Sequence, residues 1–222
     1  MSSKIAIAID GPVASGKTLV GKKLAESLRY RLLDTGMMYR AVTFVALERN
    51  IQLNAEDSLT SMVMSIEINL FSRCGTDRLM VDGRDITDHL REPDVERGVS
   101  LISKVPSIRS ELVYQQRLIA AQGSIVMIGR DIGTVVLPNA DIKIYLEASA
   151  QTRAERRFSE LKTSQYELDI EQIKQDIVCR DSMDQERIDS PLRPAEDAIR
   201  IATDNLDIDQ VVLTIMEHVG EL

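Results

Sequence analysis

Positive charge is in short supply: 27 Lys and Arg stand against 35 Asp and Glu, a formal net charge of −8. That balance argues against a broad nucleic-acid footprint, so any arginines that do cluster stand out as a site for a small anion. Cysteine is nearly absent. Cys74 and Cys179 have no metal-ligand spacing, and with nine methionines in the chain they read as free thiols outside any oxidising compartment. No apolar run approaches membrane-spanning length, and no secretory leader pattern precedes the first strand-like run. Cytoplasm is the expected location, with no membrane and no nucleic acid as partner. Internal repeats, low-complexity tracts and long linkers are missing too, as is a coiled-coil seam, which leaves a monomer as the expected state. What remains is 222 residues, 44% hydrophobic and 28% charged, enough for one α/β domain with a small insertion or lid.

The most informative stretch that is present runs Gly11-Pro12-Val13-Ala14-Ser15-Gly16-Lys17-Thr18. It fits G-x-x-x-x-G-K-[ST]. An apolar run, Ile5-Ala6-Ile7-Ala8-Ile9, precedes it, and Val20, Leu24 and Leu28 follow at helical spacing. Strand, loop and helix in that order identify a nucleoside triphosphate site. The glycines let successive N–H groups turn inward towards phosphate oxygens, and the helix that starts there adds its positive end. Lys17 can bridge the outer phosphates, and the Thr18 hydroxyl can ligate Mg²⁺.

Further strand-like runs lie near 4–9, 31–33, 124–128, 141–147 and 198–202 with helical patterns between them, which predicts a parallel sheet with helical crossovers. The last helix is the clearest: Ile208, Val211, Val212, Ile215 and Val219 share a face, behind a cap region Asp207-Ile208-Asp209. Residues 66–88 break the rhythm. Ile66, Ile68 and Leu70 alternate with polar residues, Ser72-Arg73-Cys74-Gly75-Thr76-Asp77 supplies turn chemistry, and Leu79-Met80-Val81 follows. This predicts a two-stranded antiparallel element flanked by helices at about 55–65 and 92–104. Arg153, Arg156 and Arg157 cluster on a helix after 141–147. On pattern alone a solvated helix face is the plainer reading, and a lid bringing guanidiniums to transferring phosphates is the alternative that the phosphate loop raises.

A guanine-reading N-K-x-D is lacking, and Ile125-Val126-Met127-Ile128 runs into Gly129-Arg130-Asp131 where a motor ATPase would carry its Walker-B aspartate directly. Phosphoryl transfer to a small acceptor fits better. Three further segments decide the matter: Asp34-Thr35-Gly36-Met37-Met38-Tyr39-Arg40, then Gly129-Arg130-Asp131-Ile132-Gly133-Thr134, then Arg180-Asp181-Ser182-Met183-Asp184-Gln185-Glu186-Arg187 with Ser190-Pro191-Leu192 beyond it. In order and spacing, together with the phosphate loop, they resemble the bacterial-type cytidylate kinase family over nearly the whole chain.

That resemblance implies a three-layer α/β fold of the P-loop kinase type. It has a parallel sheet, a small antiparallel insertion in the acceptor-binding region and a short helical lid. A single kinase domain would divide into a core of 1–50, 105–150 and 190–222, an acceptor-binding insertion at about 51–104 and a lid at about 151–189. It implies transfer from ATP, with Mg²⁺, to CMP or dCMP. The donor would be held by Gly11 to Thr18 and Leu19, with Arg153 and Arg157. Lys17, Arg130 and Arg187 would be the catalytic charges. The acceptor phosphate would meet Arg40, Arg130 and Arg187, helped by Thr35 and the neighbouring Tyr39. Asp131 would read the cytosine amino group, with Arg109 and Ser100 at the O2/N3 edge, because a carboxylate accepts from that amino group and repels the O4 of uracil. Arg180 and Asp184 would contact the ribose, although their spacing with Arg187 is equally that of a salt-bridge ladder on a helix. Arg40 has a structural alternative as an ion-pair partner of Asp34.

No general base is nominated, since the attacking phosphate oxygen is already anionic. Departures from the family pattern are Thr35 for a common serine, Ala202 for an acidic residue and Met183 for a charged one. Two rival readings stay open: a P-loop kinase for another acceptor (UMP or a small hydroxyl compound such as shikimate), and an ATP-binding module without transfer.

Overall fold

A computed structural model describes residues 4–73, 76–161, 169–187 and 189–220. Cys74 and Gly75 of the expected hairpin turn lie outside the described residues, as do 162–168 within the expected lid. The chain runs β1 (Ala6–Asp10), α1 (Lys17–Leu28), β2 (Arg31–Asp34), α2 (Thr35–Glu48), α3 (Glu56–Ser65), β3 (Ile68–Arg73), β4 (Thr76–Val81), β5 (Arg84–Asp85), α4 (Pro93–Ile102) and α5 (Pro106–Ala121). It continues through β6 (Ile125–Gly129), β7 (Ile142–Glu147), α6 (Ala150–Leu161), α7 (Ile170–Gln185), β8 (Ile199–Ala202) and α8 (Ile208–Val219). The expected strands and helices are all present. Two compact units result, one of Met1–Lys4 with Arg31–Ile125, the other of Ile5–Tyr30 with Val126–Leu222.

In the second unit the strands lie in the order β6-β1-β7-β8. β1 and β7 pair in parallel (Ile9 opposite Ile144), as do β7 and β8 (Ile144 opposite Ile199). Ile7, Ile9, Val126, Met127, Ile128, Ile144 and Leu146 are all buried, the near-continuous apolar pattern of strands covered on both faces. α8 is fixed at its start by a capping box: Asp207 accepts from the Gln210 N–H, and the Gln210 side chain accepts from the N–H of Asp207. It presents Val211, Val212 and Ile215 inward and packs against α1.

The first unit starts at β2 and turns into α2, where the Asp34 carboxylate accepts from the Gly36 N–H at 3.0 Å. Met38, Ala41, Val42 and Val45 recur at helical spacing and are buried. α2 packs on α4, and α3 on α5. The antiparallel insertion is larger than the sequence predicts. β4 pairs with β3 from Ile68–Val81 to Arg73–Thr76 and also with a third strand, β5. Asp82 (φ 50°) and Gly83 (φ 79°) turn the chain between β4 and β5, the left-handed geometry that an Asp-Gly hairpin favours. Gln115 of α5 accepts from the Ile68 N–H and donates to the Ile66 carbonyl, which anchors the start of β3. No helix among the described residues is long and apolar enough to cross a membrane.

Candidate active site

In the second unit the loop after β1 has the shape its motif requires. Gly11 lies so close to β7 that a β carbon would come within 2.4 Å of the Leu146 carbonyl oxygen, and Gly16 adopts φ 96°. α1 begins at Lys17, so its first N–H groups face the loop. The Lys17 ammonium donates to the Pro12 carbonyl at 2.5 Å and to Ser15 Oγ at 3.3 Å, which places the charge inside the turn. The Thr18 side chain, next along, is exposed. A hydroxyl oxygen there is a hard ligand of the kind Mg²⁺ takes when it also keeps phosphate oxygens and water.

Arg153 of α6 reaches the loop from behind. It is 6% exposed, donates from Nη1 to the Val13 carbonyl (3.2 Å) and from Nε to the Ala148 carbonyl (3.0 Å), and pairs with Asp181 of α7 at 2.6 Å. Arg157 is more exposed and pairs with Glu160. Arg156, which the resemblance left without a role, donates to the Thr203 hydroxyl and carbonyl. The Thr203 hydroxyl reaches the carbonyls of Glu147 and Ser15.

Also in this unit, Arg130 at the end of β6 and Arg187 converge on Asp184. Arg130 Nε lies 2.9 Å from Asp184 Oδ2, and Arg187 pairs with Oδ1. α7 stops at Gln185, so Arg187 sits past its end and does not extend one helical face as the spacing suggested; the pair with Asp184 forms all the same. Two guanidiniums thus share one carboxylate, itself only 4% exposed, and guanidinium planes match phosphate oxygens bidentately. Asp131 is buried beside Arg130.

The carboxylate that sequence reasoning missed is Asp10, the last residue of β1. It is 3% exposed and accepts from the N–H groups of Ile132 (2.8 Å) and Gly133 (2.7 Å). Burial pushes its pKa up to about 6 and the Asp131 charge adds to that, while the two N–H groups and Lys17 pull it down. An acid immediately before the first loop glycine was the available signal.

The first unit gathers its own set. Arg40 of α2 meets both oxygens of Glu96 on α4, at 2.9 and 3.4 Å, and Arg91 approaches the same carboxylate at 3.4 Å. Arg40 thus has Glu96 as an ion-pair partner. Two guanidiniums share the Glu96 carboxylate. Ser100 stands one turn beyond Glu96 on α4. Arg109 of α5 is 5% exposed, donates to the Ser103 carbonyl and lies over the Tyr39 ring, 5.6 Å from its centroid, a cation–π arrangement. Thr35 is buried at the head of α2.

A family model described as cytidylate kinase matches residues 7–221. The cytidylate kinase of Geobacillus sp. (strain WCH70) is 47% identical over 221 residues, covering all of this chain and 99% of the relative. That of Enterococcus faecalis (strain ATCC 700802 / V583) is 45% identical over 98% of this chain and 96% of its own length. Among solved structures, an uncharacterized protein from Eubacterium ventriosum ATCC 27560 superposes with a TM-score of 0.55 at 17% identity, covering 99% of this chain and the whole of that one. At that identity the likeness speaks to the fold.

Proposed function

Because the chain belongs to the cytidylate kinase family, we propose that it transfers the γ-phosphoryl group of ATP to the phosphate of CMP or dCMP, giving ADP and CDP or dCDP. The observation that carries this reading is the full-length family match, joined to a phosphate loop built as its motif demands.

The chemistry asked of the protein is placement and charge neutralisation. Main-chain N–H groups of the Gly11–Thr18 loop cradle the donor phosphates, Leu19 follows them at the head of α1, and Lys17 offsets charge on the outer ones. Thr18 would hold Mg²⁺, which supplies charge stabilisation on the donor when bound. Arg157 assists the donor phosphates from α6, and Arg153 acts on the same loop through the Val13 carbonyl. Arg40, Arg130 and Arg187 grip the acceptor phosphate, a reading supported by the paired guanidiniums that share Glu96 and those that share Asp184. The Thr35 hydroxyl and Tyr39 complete that grip. Asp131 accepts from the cytosine amino group, Arg109 and Ser100 serve the O2/N3 edge, and Arg180 with Asp184 serve the ribose. In this reading residues at about 51–104 form the acceptor-binding insertion and 151–189 the lid that shields the transfer from water.

ADP release measured over a panel of acceptors with Mg-ATP tests the reading. CMP and dCMP turn over, UMP does so at least roughly tenfold less well, and shikimate is inert. Equal turnover of UMP and CMP removes the base-reading role. ADP release that no acceptor stimulates removes the kinase reading altogether. Asp131→Ala loses the cytosine preference and most activity.

A further inference from the structure

Arg130 and Asp131 sit where a strand ends and an irregular turn begins. β6 stops at Gly129, and a single π-helical turn occupies Ile132–Val136. The Asp131 carbonyl accepts from the N–H groups of Val135 and Val136, and the Ile132 carbonyl from that of Leu137. The first N–H groups of such a turn have no acceptor within it. Here they belong to Ile132 and Gly133, and the two Asp10 oxygens take one each, at 2.8 and 2.7 Å. The partners are 122 and 123 residues apart in sequence, so no local capping signal specifies them. Gly133 permits the approach: a β carbon there would stand 3.4 Å from Asp10 Oδ2 and 3.3 Å from the stem of Lys143.

We propose that Asp10 is a positioning residue, whose carboxylate caps the Ile132–Val136 turn and thereby fixes the direction in which Arg130 and Asp131 point. It sits immediately before Gly11, so one side chain sets the acceptor-reading loop relative to the start of the donor loop. This rests on the reading that Arg130 and Asp131 handle the acceptor. The charged and titratable groups around the carboxylate are Lys17 of α1, Asp131 itself and the buried phenol of Tyr145, which faces Asp10 across the β1–β7 pairing. Asparagine keeps the size and one acceptor oxygen, but its amide group faces an N–H that needs an acceptor.

The test is Asp10→Asn, with kinetics for CMP, UMP and ATP measured separately. The expected result is a folded protein whose KM for ATP stays within about twofold. Its KM for CMP rises, and its CMP-to-UMP ratio in kcat/KM falls, by roughly tenfold or more, the scale of one lost hydrogen bond to a buried charge. An unchanged CMP-to-UMP ratio overturns the inference, and so does an equal loss for ATP and CMP. If the variant does not fold, amide hydrogen exchange on the wild-type protein decides. Ile132 and Gly133 exchange as slowly as the interior of β6 if Asp10 caps the turn; exchange at the rate of an exposed loop overturns it. Asp131→Ala separates the two levels. If that variant keeps the cytosine preference, the reading of the site itself fails; if it loses the preference while Asp10→Asn keeps it, only the positioning role fails.

Discussion

Arg40 is held side-on by Glu96, with Nε 2.9 Å from one carboxylate oxygen and Nη2 3.4 Å from the other. The pair fixes the guanidinium plane on α2, and Arg91 shares the same carboxylate. Arg40→Lys keeps the charge and loses the planar fork. We expect kcat/KM for CMP to drop by roughly 10- to 100-fold with KM for ATP unchanged. Glu96→Gln, which leaves the arginine but loosens its anchor, falls between wild type and that variant. Steady-state kinetics with each substrate varied in turn checks both, and a change confined to ATP contradicts the assignment.

Arg153 and Arg157 lie four residues apart on α6, and the structure separates them sharply. Arg153→Ala leaves Asp181 as a buried charge without its partner and removes a donor from Val13. The stability loss is about 3–5 kcal/mol, the usual cost of breaking a buried pair, and urea unfolding measures it. Arg157→Ala leaves the unfolding midpoint in place and raises KM for ATP. Equal stability of the two variants would show the Arg153 contacts to be incidental.

Asp10 makes a sign-definite prediction about pH. Its folded pKa, about 6, lies above the ordinary carboxylate value of 3.8. The folded protein therefore binds a proton that the unfolded chain releases between those values, and stability attributable to this group rises as pH falls through 6 towards 4. Between pH 7.5 and 4.5 the wild type gains about 2 kcal/mol relative to Asp10→Asn. Urea titrations of both proteins at several pH values read the difference directly; a difference independent of pH means the folded carboxylate titrates as an ordinary one, whereas a carboxyl already protonated at neutrality gives a dependence steeper than this across the window.

Asp207→Ala removes one half of the α8 capping box. A loss of about 1 kcal/mol in unfolding free energy follows, with kinetics for both nucleotides untouched. Catalytic damage from this substitution would mean that the last helix does more than complete the core.

Much of this molecule was legible in the letters because its signals are local. The phosphate loop is fixed spacing, α8 is an apolar face with an acid at its head, β6 is an uninterrupted apolar run, and β7 is one broken only by Lys143 before its final Glu147. The pairings that organise the site were harder to see. Asp10 meets an N–H 122 residues away, and Arg153 a carbonyl 140 residues away. Glu96 looks, on a helix of mixed charge, like any solvated acid. β5 escaped because two residues carry no alternation to read, although Asp82-Gly83 just before it was a usable hairpin mark. The resemblance assigned Arg130 and Arg187 to the acceptor phosphate and Asp184 to the ribose, and nothing local in the sequence marked Asp184 as the carboxylate that joins the two guanidiniums.

The Gly11–Thr18 loop has a further property that concerns its outer surface. The Pro12 oxygen is taken by Lys17, the Val13 oxygen by Arg153 and the Ser15 oxygen by Thr203. The negative ends of those peptide dipoles are thus spoken for by side chains, and the curve of the loop is inherited from α6 and from the segment after β8. Drift in those supporting surfaces can therefore retune how strongly the enzyme captures its triphosphate, with every residue of the glycine-rich signature left as it is.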